Sequence, residues 1–298
     1  MEVAPGIALV DTLLGGQEGV TAAYLVAGPS PALVETGAQT SAPAVRAALE
    51  RAGLAPADLA WLVLTHIHLD HCGAVGALAE AFPNATVVVH RRGARHLAAP
   101  ERLVVASHAV YGETSWLYGG LDPVPEERIV PAEDGHRVPI SPGRHLVMLE
   151  ATGHAPHHMA VLDEATGAVM AGDALGVRFP GAGLYPAVPP PAFDLEASLG
   201  TLARLRELEP PELMLGHFGP VPEPQEAIDL AERQLVVASD AALRAWRAEG
   251  TVDAVHAAVL EALPLEESVG AGIDRWRWLE WEPNNAAGLA GWAEGRSS

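Results

Sequence analysis

The 298-residue chain is 49% hydrophobic and 19% charged, the balance of a folded protein with one large core, or a core plus an appendage. A net charge of −20 repels nucleic acid and anionic membranes, so neither is an expected partner. The basic residues are all arginine, which excludes Schiff-base chemistry and a lysine phosphate cradle, and the single Cys72 excludes an internal disulfide framework.

No apolar run reaches the roughly 18 residues a membrane-crossing helix needs. Met1–Gly6 lacks the basic residues and long apolar stretch of a signal peptide, so the expected location is the cytoplasm. In chain order, Thr21–Ala27 and Ala32–Glu35 are predicted strands joined by the turn Pro29-Ser30-Pro31. Pro43–Ala52 is a predicted helix ended by Gly53. The short apolar strand Trp61–Thr65 runs into a histidine cluster, followed by a helix over Gly73–Phe82 and a buried strand over Thr86–His90. Residues 91–125 show no strand pattern. They form an expected insertion of two helices over the sheet edge, carrying His108, Tyr111, Trp116 and Tyr118.

The second half returns to strands at His145–Glu150, Met159–Asp163 and Ala168–Ala171, the last two joined by a Glu164–Gly167 turn. Residues 186–191, PAVPPP, make a stiff connector. Asp194 caps a helix through about Leu208, Glu212–Leu215 is a last short strand, and the pattern from Pro224 onward is helical. The predicted division is a catalytic domain over residues 1–222, including the insertion, and a helical appendage over 223–298. The tryptophans at 276, 278, 281 and 292 could seal that appendage or form a subunit interface, which leaves a homo-oligomer open.

The most informative stretch is Thr65-His66-Ile67-His68-Leu69-Asp70-His71. Imidazole and carboxylate suit zinc, iron and manganese. His66 and His68, two apart at a strand end, project the same way and can grip one ion, while Asp70 and His71 follow in the turn, aimed at a second. Three more donors stand just after predicted strands: His154 in GHAP, Asp173 in AGD and His217 in GHFG. An aspartate at 173 could bridge two ions through its two oxygens.

With these motifs, THIHLDH at 65–71, GHAPHH at 153–158, AGD at 171–173 and GHFG at 216–219, the chain resembles the metallo-β-lactamase-fold hydrolases across roughly residues 5–222. The resemblance implies a four-layer αββα sandwich with two divalent ions at one edge, zinc foremost, iron and manganese as alternatives. It implies one ion on His66, His68 and His154, the other on Asp70, His71 and His217, and Asp173 as the bridge. A water held between two such ions loses a proton near neutral pH and attacks a carbonyl or phosphoryl centre. Asp70 has a second expected role, moving a proton. The expected substrate is a small ester, lactone, thioester or phosphodiester.

Within that family, the missing lysines argue against a glutathione thioesterase. Lactonases carry a tyrosine shortly after the bridging aspartate, whereas here Ala174-Leu175-Gly176 follows and Tyr185 is the nearest. An iron-dependent redox enzyme of the same fold, of the persulfide dioxygenase kind, is the alternative; a flavodiiron protein is disfavoured by His68 and the lack of a flavin domain. A non-catalytic module is disfavoured by the full donor set. Cys72 is expected to be a packed thiol, His157 and His158 to lie outside the metals' immediate ligands, Glu35 to be structural, and Arg178 to be a candidate for orienting an anionic substrate.

Overall fold

The structure is a computed structural model that describes residues 1–265, 274 and 281–297. Two compact units make up the chain. The first comprises Met1–Glu150, His157–Gly172 and Pro210–Pro220; the second comprises Ala151–Pro156, Asp173–Glu209 and Val221–Ser298.

Two sheets build the first unit. The seven-stranded sheet runs in sequence order: β1 (Glu2–Ala4), β2 (Ile7–Asp11), β3 (Ala22–Val26), β4 (Ala32–Val34), β5 (Trp61–Val63), β6 (Thr86–His90) and β7 (Ile129–Ala132). Its first four strands are antiparallel neighbours and β4 to β7 are parallel. The central strands read as unbroken apolar runs, AAYLV in β3 and VVVH at the end of β6, because both faces are covered.

The second sheet contains β8 (Arg137–Ser141), β9 (Arg144–Glu150), β10 (Met159–Asp163), β11 (Val169–Met170), β14 (Leu213–Leu215) and β15 (Gly219–Pro220), in the order β15-β14-β11-β10-β9-β8. β11 and β14 are parallel. One hydrophobic cluster takes side chains from both sheets, among them Ile7, Tyr24, Val34, Val63 and Val88 from the first and Ile140, Met148, Val161, Met170 and Met214 from the second. The Trp61 indole N–H donates to the Pro139 carbonyl at 2.9 Å, tying β5 to β8. β7 and β8 each carry a proline, Pro131 and Pro139, and each is an edge strand, where a missing ladder donor is tolerated.

Helices α1 (Ala42–Arg51), α2 (Leu69–Cys72) and α3 (Val75–Ala81) belong to this unit. The predicted helix over Gly73–Phe82 is α3; the single turn α2 precedes it, and between them a Cβ on Gly73 would stand 2.4 Å from the Leu69 carbonyl oxygen and 2.6 Å from the Gln39 amide. The insertion holds three helices instead of the expected two: α4 (Arg91–Ala98), α5 (Glu101–Tyr111) and the single turn α6 (Ser115–Tyr118).

In the second unit, the hairpin β12 (Val177–Arg178) and β13 (Leu184–Tyr185) precedes α7 (Leu195–Glu207), which Asp194 caps by accepting from the Ala197 amide at 3.1 Å. Then come α8 (Pro224–Glu249), α9 (Val252–Ala262) and α10 (Trp281–Glu294). Asn285 on α10 clamps the proline-rich connector: its amide donates to the Pro186 carbonyl, and its oxygen accepts from the Val188 amide, both at 2.9 Å. Of the predicted terminal tryptophans, Trp281 stacks on Phe179 and Trp292 packs against Phe193, whereas Trp276 and Trp278 lie outside the described residues. No helix among the described residues is long and apolar enough to cross a membrane.

Candidate metal centre

Parallel pairing decides where the polar residues collect. β4, β5 and β6 point the same way, so the residues that follow them, Glu35 and Thr65–His71 among them, share one edge of the first sheet. β11 and β14 are likewise parallel, so Gly172 and His217 emerge from adjacent strand ends. The same edges carry a dense group of buried polar residues: Glu35, Thr65, His66, Asp70, His71 and His217 are all at most 6% exposed.

Within the first unit these side chains form two donor groups. His71 Nε2 stands 3.1 Å from His217 Nε2 and 3.6 Å from Asp70 Oδ2, and His217 Nε2 stands 3.2 Å from Asp70 Oδ2. Three ligands on one tetrahedral ion at about 2.1 Å would stand about 3.4 Å apart, which the observed triangle matches. The second group is the pair His66 Nε2 and His68 Nδ1, 3.1 Å apart. Glu35, His66 and His71 also converge, so the two groups adjoin.

The outer nitrogens of these rings are held by acceptors, which fixes what faces inward. A carbonyl oxygen only accepts, so His217 Nδ1 donates to Val20 O at 3.1 Å and its Nε2 keeps a lone pair. The Thr65 hydroxyl donates to Glu35, leaving its oxygen to accept from His66 Nδ1 at 2.9 Å; the His66 lone pair is then on Nε2. Glu35 Oε1, 3.6 Å from His71 Nδ1, favours the proton there. Two lone-pair nitrogens and a carboxylate pointing at one another repel unless a cation lies among them, so the donors present fit a divalent ion.

In the second unit, His154 follows the same rule. Its Nδ1 donates to Ala187 O at 2.8 Å, and its Nε2 is 3.8 Å from Asp173 Oδ2. Gly172, which precedes Asp173 in AGD, has φ +53°, and a Cβ there would lie 2.7 Å from both His158 Nε2 and Thr65 Oγ1. Only glycine suits that combination of left-handed backbone and close approach.

Sequence reasoning undervalued two residues. Glu35, expected to be merely structural, faces both Thr65 and His71, and holds φ 67° to do so, a conformation a bulky residue adopts only where the surroundings impose it. Thr65 is the link between Glu35 and His66. The dyad threonine–glutamate behind a histidine was visible in sequence as VETG and LTH, but nothing local paired them. Thr65→Val removes the acceptor for His66 Nδ1 at almost constant volume; metal affinity is expected to fall about 10- to 100-fold, measured by competition with a chromophoric chelator.

The other candidates separate clearly. Cys72 is fully buried, and burial, then Glu35 and Asp70, push its thiol up, as suits a packed residue. His158 is buried with its ring 4.8 Å from that of His66; the half-buried His157 ring lies 6.3 Å from His66 and 5.7 Å from His68. In the insertion, Tyr111 donates to Asp70 Oδ1 at 3.2 Å, Tyr118 is buried, His108 Nε2 lies 2.7 Å from Gly119 O, and Trp116 is 64% exposed. Tyr185 is buried with its hydroxyl 3.4 Å from Leu263 O, and burial, helped by Glu282, pushes the phenol up to about 12. Half-buried Arg178 has its guanidinium lowered by burial.

The sequence model of the metallo-beta-lactamase superfamily matches residues 15–217. The metallo-beta-lactamase fold-containing protein of Sulfurisphaera tokodaii is 28% identical over 165 residues, 54% of this chain and 61% of its own. An N-acyl homoserine lactonase of Bacillus cereus is 26% identical over 172 residues, 57% of this chain and 60% of its own. The chain thus matches about three fifths of the length of these curated relatives. Among solved structures, the metallo-beta-lactamase family protein of Thermus thermophilus superposes with TM-score 0.71 over 98% of this chain and 93% of that one, at 26% identity. The archaeal protein from Sulfolobus tokodaii gives 0.68 over 78% and 86%, at 24% identity.

Proposed function

The chain belongs to the metallo-β-lactamase superfamily, with that family's sandwich and added C-terminal helices, and on that premise we propose that it is a dinuclear metal-dependent hydrolase. The observation that carries this reading is the triangle of Asp70 Oδ2, His71 Nε2 and His217 Nε2, with each imidazole's far nitrogen facing an oxygen acceptor. His66 and His68 offer the second group of donors, and the family's motifs mark His154 and Asp173 as further residues that would hold metal. Two divalent ions, zinc foremost, would supply an activated water and a Lewis acid for a carbonyl or phosphoryl oxygen.

The chain's own residues do the rest. Glu35 and Thr65 hold the histidine rings in one tautomer and orientation, so the donor set is preorganised rather than assembled by the ion. Asp70 presents Oδ2 to the imidazoles and Oδ1 to the Tyr111 hydroxyl. A proton released at the centre can be taken up there and passed to a leaving group. No serine, lysine or thiol nucleophile is required, and buried Cys72 supplies none.

The substrate class is a small ester, lactone, thioester or phosphodiester; similarity to an N-acyl homoserine lactonase supports including lactones. The test is to strip the protein with a chelator, reload it with zinc, manganese or iron, and assay chromogenic esters, lactones, β-lactams and phosphodiesters. Two ions per chain, with hydrolysis lost on stripping and restored on loading, is the expected result. A chain that holds two ions yet turns over none of these classes would overturn the hydrolase reading.

A further inference from the structure

We propose that Tyr111, carried in on the helical insertion, is a positioning residue of the metal centre: its phenol fixes the rotation of the Asp70 carboxylate. The inference rests on the reading of Asp70 as a metal ligand and goes beyond it, because none of the sandwich's own strands or motifs supplies this residue.

Asp70 has two oxygens with different work. Oδ2 faces His217 Nε2 at 3.2 Å and His71 Nε2 at 3.6 Å, while Oδ1 receives the Tyr111 hydroxyl at 3.2 Å. An ionised carboxylate only accepts, so the phenol is the donor. The torsion that turns an aspartate carboxylate has a broad, nearly two-fold profile, and a plane with one oxygen in a donor triangle is held only if something grips the other. Tyr111 provides that grip.

The phenol is itself fixed at three points, which separates it from a side chain that happens to reach the site. Tyr111 is the last residue of α5, and Gly112 at φ +55° turns the chain sharply after it. The Thr114 hydroxyl donates to the Tyr111 carbonyl at 2.8 Å, holding the backbone. The ring stacks on buried Tyr118 with centroids 3.8 Å apart and planes 17° apart. The insertion that presents it is anchored in turn: Gln39 Oε1 accepts from the Gly120 amide at 2.6 Å, and His108 lies against Gly119 O. Of the four aromatic or imidazole candidates in the insertion, Tyr111 donates to a member of the triangle, while Trp116 is turned to solvent.

Tyr111→Phe keeps the ring stack and deletes only the donor. The experiment titrates the metal-free protein with cobalt(II), following the visible spectrum and competing with a chromophoric chelator to obtain two stepwise affinities. In Tyr111→Phe the first equivalent is expected to bind as in wild type, and the second about 10- to 100-fold more weakly with an altered spectrum. The metal-free variant should melt with the metal-free wild type. Trp116→Ala, a change on the same insertion remote from Asp70, should leave both steps untouched. A second equivalent bound by Tyr111→Phe with wild-type affinity and spectrum overturns the proposal, as does an equal weakening in Trp116→Ala, which would assign the effect to insertion packing. Wild-type protein that takes up only one equivalent would instead sink the two-ion reading itself.

Discussion

Asp70→Ala is expected to lower turnover by about 10³-fold and to cut the bound metal from two ions per chain to one, while leaving a folded protein. Polarisation by a second ion contributes several kcal/mol to a hydrolytic transition state, and each 1.36 kcal/mol is about tenfold in rate. Asp70 supplies the only carboxylate oxygen of the His71–His217 triangle, and two imidazoles cannot complete that group alone. Stability of the metal-free chain should be nearly preserved while activity falls. Asp70 and Glu35 are both buried beside His71, and in the metal-free chain these two carboxylates repel each other. The metal-free variant should therefore melt no lower than about 3 °C below the metal-free wild type, a trade of the kind expected where a site stores strain for function. Elemental analysis, circular dichroism and turnover on the best substrate of the panel check all three. Retention of two ions together with near wild-type turnover would show that Asp70 is no ligand.

The fold was legible where burial is two-sided and the motif local. Trp61–Val63, Thr86–His90 and Met159–Asp163 are continuous apolar runs, and the structure holds all three as strands. The strands that escaped notice are β1 and β2 at the start of the chain, β7 and β8 with an internal proline each, and β12, β13 and β15, whose two residues each are too few to show an alternating pattern. The candidate site divides in the same way. His66, His68, Asp70 and His71 were visible because seven consecutive residues carry them. The oxygen acceptors behind the imidazoles were not, because Val20 O reaches His217, Ala187 O reaches His154 and Glu35 reaches His71 only through tertiary structure. Tyr111 was one of four equivalent candidates in sequence. What singles it out is the end of α5 and the stack on Tyr118, neither of which has a periodic signature.

Arg144→Leu should cost about 3–5 kcal/mol of stability and leave metal binding intact, because Arg144 neutralises a carboxylate with no access to water. Asp163 ends β10 fully buried, and Arg144 grips it with Nε at 3.1 Å and Nη2 at 2.7 Å. The Thr166 hydroxyl and the Ala165 amide also donate to it, at 2.8 and 3.3 Å, so the carboxylate organises the β10–β11 turn as well. The guanidinium reaches further, to the carbonyls of Ala27 and Pro5, which joins the start of β9 to two turns of the other sheet. Leucine keeps the apolar stem and strands the charge, and a buried carboxylate without its cation is the costly case, whereas exchanging both partners for apolar residues is often nearly neutral. Arg144→Leu is therefore expected to melt about 10 °C below wild type, at roughly 2–4 °C per kcal/mol for a domain of this size. The double variant Arg144→Leu/Asp163→Leu should recover a substantial part of that loss. Metal stoichiometry should not change, since β10 begins at Met159, bonded to Thr65 O at the metal edge, and Asp163 stands four residues further on, roughly 13 Å away along the strand. A loss below about 1 kcal/mol in denaturant titration would mean that water or a neighbouring donor replaces the guanidinium, and the pair would then be a surface contact in energetic terms.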